Sequence, residues 1–252
     1  MGVFNTSMWN VAAAGAAKGA VDLLEADADS DTFVCEFTGT GEETGAGGGL
    51  SGSDLVLTEV GTVGDASDGW RALNSGGFTV TTDFLENFFT GSNTQTLVMH
   101  CKNPDVTPSA NNGFFNWVSS DAQAGLYIQI PSGGGNEDKL IFQNINANAY
   151  VGTGLTSFEG DNMFGASDEF WLCHWMDGTY DRVGWIEGED APSNWSDFPS
   201  GQRATASHDW GDYDHTGQQA TMGVGTNNSN VVGIFEINRF IMSKSGTLIT
   251  ND

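Results

Sequence analysis

From residue 31 onward the chain is a succession of short β-forming runs separated by clusters of Gly, Asn, Asp and Ser, and this pattern restricts the fold more than any other feature. Leu126, Ile128 and Ile130 alternate with Tyr127 and Gln129. Phe235, Ile237 and Arg239 alternate in the same way with Ile234, Glu236, Asn238 and Phe240. A period of two is what a strand with one buried face requires. Strands are expected at 32–37, 55–60, 78–82, 94–102, 113–119, 125–130, 139–144, 168–175, 182–187, 219–225 and 231–242. Between them, 39–52, 131–136 and 225–230 carry turn chemistry, the middle one as a hairpin. The stretch 188–218 is the longest without a convincing strand, and connections of that length usually carry function. Only 10–25 has helix-forming content. Gly15 and Gly19 oppose a helix there, so an extended arm is an equal alternative.

Composition supports a β-rich domain and removes several functions. Gly contributes 35 of 252 residues and charged residues only 16%, against averages of about 7% and about 25%. Eight Lys and Arg stand against 33 Asp and Glu, a formal net charge of −25. The cations are scattered singly from Lys18 to Lys244, which leaves no patch to neutralise phosphates, so no nucleic-acid partner is expected. An anionic membrane surface would repel the chain, and no apolar run is long enough for membrane insertion. The first 31 residues lack a basic leader and their apolar run, 11–17, is short, so they are not read as a signal peptide. Cys35, Cys101 and Cys173 are odd in number and far apart, which predicts buried free thiols rather than disulfides or a zinc site.

The block from Glu169 to Glu187 contains an Asp177-Gly178 turn and is followed directly by Gly188. Together with ATMGVG (Ala220 to Gly225) and GIFEINRFIMS (Gly233 to Ser243), it resembles the C-terminal half of the laminin-G-like, concanavalin A-like jelly roll. TQTLVMHCK at 94–102 and GLYIQI at 125–130 are similar to strands of that family's first half. The acidic, Gly-rich composition and the opening MGVFNTSMWNVAAAGA also resemble virion proteins of tailed bacteriophages. The resemblance implies an all-β jelly-roll sandwich of two antiparallel sheets over 31–252, preceded by an N-terminal arm or attachment segment over 1–30. It further implies a virion structural or interaction protein, such as a capsid decoration, fibre or tail component. That protein would be homo-oligomeric, in contact with other virion proteins and located in the particle. The alternative is a carbohydrate-binding, lectin-like module for cell-surface glycan, assisted by calcium.

The family's glucanases would need E-x-D-x-x-E on one strand to place two carboxylates for retaining hydrolysis. The chain lacks that string, so catalysis, as hydrolase or lyase, is the least favoured outcome and no cofactor is expected apart from calcium. The densest cluster of reactive side chains is Ser207 to His215, SHDWGDYDH. There Asp209, Asp212 and Asp214, with His208 and His215, offer ligands to a metal such as calcium, while Trp210 and Tyr213 offer rings to a sugar. A polar loop packed on the sandwich edge is the plainer alternative. Asp27, Asp29 and Asp31 start like a calcium loop, but Thr32 and Thr38 stand where Gly and Glu are needed, so this run is taken as a solvated linker. Trp195, near Trp185 and Phe198 and braced by Pro192 and Pro199, is a candidate for stacking on a glycan. Anchoring of the long connection is the favoured role for this group. His100 and His174, beside Cys101 and Cys173, are expected at core positions.

Overall fold

The structure, a computed structural model, describes residues 32–37, 43–47, 56–64, 69–80, 94–103, 109–118, 124–130, 132, 139–146, 149–157, 169–177, 180–207, 219–224 and 231–243. The first strands are β1 (Thr32–Glu36), β2 (Glu43–Gly47), β3 (Val56–Val60), β4 (Arg71–Val80), β5 (Thr94–Lys102), β6 (Asn111–Val118) and β7 (Ala124–Ile130). The second half supplies β8 (Lys139–Asn146), β9 (Ala149–Ser157), β10 (Glu169–Asp177), β11 (Tyr180–Glu187), β12 (Arg203–Ser207), β13 (Gln219–Met222) and β14 (Val231–Ser243). They form a curled sheet folded into two layers, the expected all-β jelly-roll sandwich. The front layer runs β12-β11-β10-β5-β14-β1-β2 and the back layer β3-β4-β13-β6-β7-β8-β9. Pairing is antiparallel, apart from Val231 and Val232 beside Asn111 and Asn112.

Alternation along the strands builds the core. Phe170 and Leu172 of β10 and Leu97, Met99 and Cys101 of β5 point inward. They meet Phe114, Phe115, Ile128 and Ile130 from the back layer. In β14 the period-two expectation breaks at one place. A bulge between Ile237 and Arg239 shifts the phase, so Phe235, Ile237, Phe240 and Met242 share the core. Arg239 turns outward, where it meets Glu36 at 3.2 Å. An extra residue on one strand reverses every following side chain, and alternation alone cannot register it.

β4 and β14 pass from one layer to the other, and small residues make the crossing possible. A Cβ at Gly77 would stand 1.8 Å from the Met222 carbonyl oxygen, and one at Gly233 would stand 2.6 Å from the Gly223 Cα, where Gly223 itself has φ +78°. The Gly223 of ATMGVG is therefore required by backbone contact at the seam. Beside it, Asn112 of β6 holds β14 by accepting from the Ile234 amide at 2.9 Å and donating to its carbonyl at 3.0 Å.

The buried cation of β4 is matched by close pairing. Arg71, fully buried on β4, binds Glu43 of β2 and Glu59 of β3, donates from Nε to the Gly64 carbonyl at 2.8 Å and lies over the Phe78 ring. Cys35, Cys101 and Cys173 are free and buried in β1, β5 and β10 as expected, and burial raises the pKa of each thiol. Their inertness follows, since the thiolate is the reactive form.

The structure adds strands that periodicity missed. Residues 43–47 lie within the Gly-rich 39–52 yet form β2. Its Gly45 sits so close to the Phe33 ring that a Cβ would fall 2.3 Å from it. β9 and β12 were also unassigned, and β4 begins well before residue 78. Among the described residues no helix is long and apolar enough to cross a membrane. The arm 1–30, including any helix at 10–25, lies outside the described residues, as do Asp27, Asp29 and Asp31.

Candidate functional site

The site is built on the outer face of the front layer. While the even residues of β10 enter the core, Trp171, Cys173 and Trp175 point outward and join Val98 of β5 and Ile241 of β14 in a second apolar cluster. In-register pairing places Arg182 beside Trp175 and Gly184 beside Cys173 on β11, then Arg203 beside Gly184 on β12. An apolar outer face needs a cover, and the connection after β11 supplies it.

Residues 188–202 fold back over this face. The Gly188 amide donates to the Glu169 carbonyl at 2.8 Å and Trp171 Nε1 donates to the Glu189 carbonyl at 3.2 Å, which fixes the first turn. Asp197 then accepts from the amides of Ser193 and Asn194 at 2.7 and 2.8 Å, closing a capping box on the short 3-10 turn Trp195–Asp197. Phe198 lands on Gly184, where a Cβ would stand only 2.6 Å from its ring. Trp195 packs edge-on against Trp175, 5.1 Å between centroids at 78°. The anchoring role expected of this aromatic, Pro-braced segment is therefore the one its contacts display. A second 3-10 turn, Ser200–Gln202, leads into β12.

At the edge of the cover, aromatic and cationic side chains interleave. Arg203 donates from Nη1 to the Trp195 carbonyl at 2.7 Å, with its guanidinium carbon 4.9 Å from the centre of the indole. Arg182 lies between two rings, 5.9 Å from Trp195 and 5.3 Å from Tyr180. Tyr180 is 41% exposed, and Val60 is the only other large apolar side chain exposed among the described residues. Because 180, 182 and 184 share one face of β11, Tyr180, Arg182 and the half-buried Trp195 form one continuous ledge. Aromatic faces bind sugar C–H groups and guanidinium groups bind oxygen, so the ledge can do both.

The other end of the same face is closed. His100 stacks on Trp171 at 4.1 Å with an interplanar angle of 2°, and Trp70 meets its edge at 4.9 Å. Lys102 lies 4.4 Å from the Trp70 ring and 3.3 Å from Glu236. The His100 Nδ1–H donates to Asn238 Oδ1 at 2.9 Å, and Nε2 faces Glu169 at 3.5 Å. Burial, assisted by Arg239 and Lys102 and opposed by the Asn238 bond, lowers the His100 pKa to about 4. With Trp70 7% and Trp171 3% exposed, these rings have no free face for a ligand. His100 occupies a buried position on the outer face, whereas the fully buried His174 alternates inward with Phe170 and Leu172.

Of the residues singled out in sequence, Trp195 belongs to the ledge. His208, Asp209, Trp210, Asp212, Tyr213, Asp214 and His215 lie outside the described residues. The chain enters their segment from Ser207, which pairs with Tyr180. Among the described residues no group of three or more His, Cys, Asp or Glu is placed to hold a metal. Tyr180, Arg182 and Arg203 were missed by sequence reasoning. Tyr180 lies before the strand expected at 182–187 and joins Arg182 on one face only because β11 begins at Tyr180, and Arg203 could not be placed while β12 was unrecognised.

No family model matches the chain, and no curated protein does. Solved structures do. The botulinum neurotoxin serotype D binding domain aligns at TM-score 0.51 and 9% identity, over 86% of this chain and 49% of that one. The receptor-binding domain of the mosaic serotype C/D toxin aligns at TM-score 0.50 and 10% identity, over 87% and 49%. The chain thus spans about half the length of these toxin domains. A protein of unknown function from Shewanella oneidensis MR-1 aligns at TM-score 0.48 and 12% identity, over 91% and 95%. The toxin alignments agree with the jelly-roll architecture described above; at such identity the likeness concerns the fold alone.

Proposed function

We propose that the protein is a non-catalytic binding module that engages a glycan along the β11–β12 edge. The observation that supports this reading is the exposed Tyr180 ring backed by Arg182 and continued by Trp195. Each part is held by the sheet or by the 188–202 cover, so little ordering entropy is lost when a ligand arrives. Trp210 and Tyr213 are included in the proposal as further rings for the glycan, and Asp209, Asp212 and Asp214 as ligands for a calcium ion.

A single ledge of this size binds weakly, and many copies on one particle raise the avidity without any new contact. The virion setting implied by the sequence resemblance, with this chain as a homo-oligomeric surface subunit beside other virion proteins, provides such copies. A glycan array probed with the multimerised protein in calcium-containing buffer tests the reading. Selective retention of a set of saccharides is the expected result; an array without bound saccharide overturns it.

A further inference from the structure

Resting on that glycan reading, we infer that the ligand carries a carboxylate, as an acidic saccharide does, and that Arg203 receives it. The protein carries only eight Lys and Arg against 33 Asp and Glu. Two of those cations, Arg182 and Arg203, nevertheless converge on the ring of one residue, Trp195. A ledge for neutral sugar needs aromatic faces and hydrogen-bonding groups, not two guanidinium groups. In a field this negative, an acidic ligand would need such local compensation.

The geometry of Arg203 suits the task. Among the described residues it makes one hydrogen bond, Nη1 to the Trp195 carbonyl at 2.7 Å, and no ion pair. The side chain is half-buried, and its remaining N–H groups are not among the buried atoms that lack a partner. The indole at 4.9 Å holds the guanidinium plane and the carbonyl fixes its rotation. A guanidinium held in this way presents its remaining N–H groups, unpaired among the described residues, as a preset fork for a carboxylate. Tyr180 and Arg203 stand two side-chain rows apart on the same face, roughly 13 Å along the strands at about 3.3 Å per residue. A ligand that touches both is longer than a single sugar ring, with its acidic unit over β12 and a neutral unit over Tyr180.

The test titrates the full chain with 3′-sialyllactose and with lactose, which differ by the acidic residue, and repeats both titrations with Arg203→Gln and Arg203→Lys. The wild type should prefer 3′-sialyllactose at least tenfold, and the preference should weaken as salt is raised. Arg203→Gln should abolish that preference. Arg203→Lys, which keeps the charge but loses the planar fork, should retain part of it. Unchanged near-ultraviolet circular dichroism in Arg203→Lys shows that Trp195 is still seated. Equal affinity of the wild type for both saccharides overturns the carboxylate inference and leaves the glycan reading standing. Failure of the wild type to bind either saccharide, or any other glycan, overturns both.

Discussion

Placing alanine at Gly184 should unseat the cover that builds the ledge. An added Cβ would stand 2.6, 2.8 and 2.9 Å from three carbons of the Phe198 ring, whereas ordinary contact begins at 3.4 Å. The ring must therefore retreat by 3.4 − 2.6 = 0.8 Å or more. Phe198 is almost fully buried and also touches Trp175 and Trp195, so it has no empty space to enter. Overpacking of this kind costs about 1–3 kcal/mol, a fall in Tm of about 2–4 °C for each kcal/mol in a chain of this size. The sharper test is a double-mutant cycle. Phe198→Ala alone should cost about 3–5 kcal/mol through the cavity it leaves. In that background Gly184→Ala has nothing to strike and should be close to neutral, giving a coupling energy of about 1–3 kcal/mol. Urea unfolding of the four proteins, followed by tryptophan emission, yields all the terms. Strict additivity, with Gly184→Ala equally costly with and without the ring, would refute the packing of Phe198 on Gly184.

Two further perturbations probe the buried polar groups. Because His100 has a folded pKa of about 4 against an ordinary 6.5, the unfolded chain binds its proton first. The stability advantage of the neutral buried ring is full above pH 6.5 and falls as the pH drops to about 4. The loss should reach about 3 kcal/mol relative to His100→Phe, in which the other titrations cancel; parallel stability-versus-pH curves for the two proteins would be the opposing outcome. Arg71→Met leaves Glu43 buried at 3% exposure without its cation. It should cost about 3–5 kcal/mol in chemical denaturation, with much of that recovered by adding Glu43→Leu, whereas a loss under 1 kcal/mol would mean that the charges find other partners.

The fold was legible because alternation survives in most strands. Ile128 and Ile130 enter the core on the period expected of them, and Trp171, Cys173 and Trp175 face away from Phe170 and Leu172 on the same strand. The unassigned pieces were hidden for separate physical reasons. β2, ETGAG, has strand geometry because Phe33 needs Gly45 above its ring, a tertiary demand that no propensity contains. β12, RATAS, carries no large apolar residue; its place follows from pairing with β11. The bulge in β14 exchanged Arg239 for Phe240 in the core. At the candidate site Trp195 stood out as an aromatic in a long connection, yet its neighbours Arg182, Arg203 and Trp175 come from three strands. Only the register that aligns those strands reveals the ledge, and Arg203 needed a strand that its own segment does not advertise.

The measurement that bears most directly on the proposed function is the affinity of the full chain and of Tyr180→Ala for the saccharide that the array retains best. Tyr180 is exposed at the end of β11 and its removal leaves the covered face intact, so folding should be preserved. Loss of one central aromatic contact is worth about 1.4 kcal/mol or more, so binding should weaken at least tenfold. Undiminished binding by a correctly folded Tyr180→Ala would place the ligand elsewhere and contradict the assignment of the β11–β12 edge.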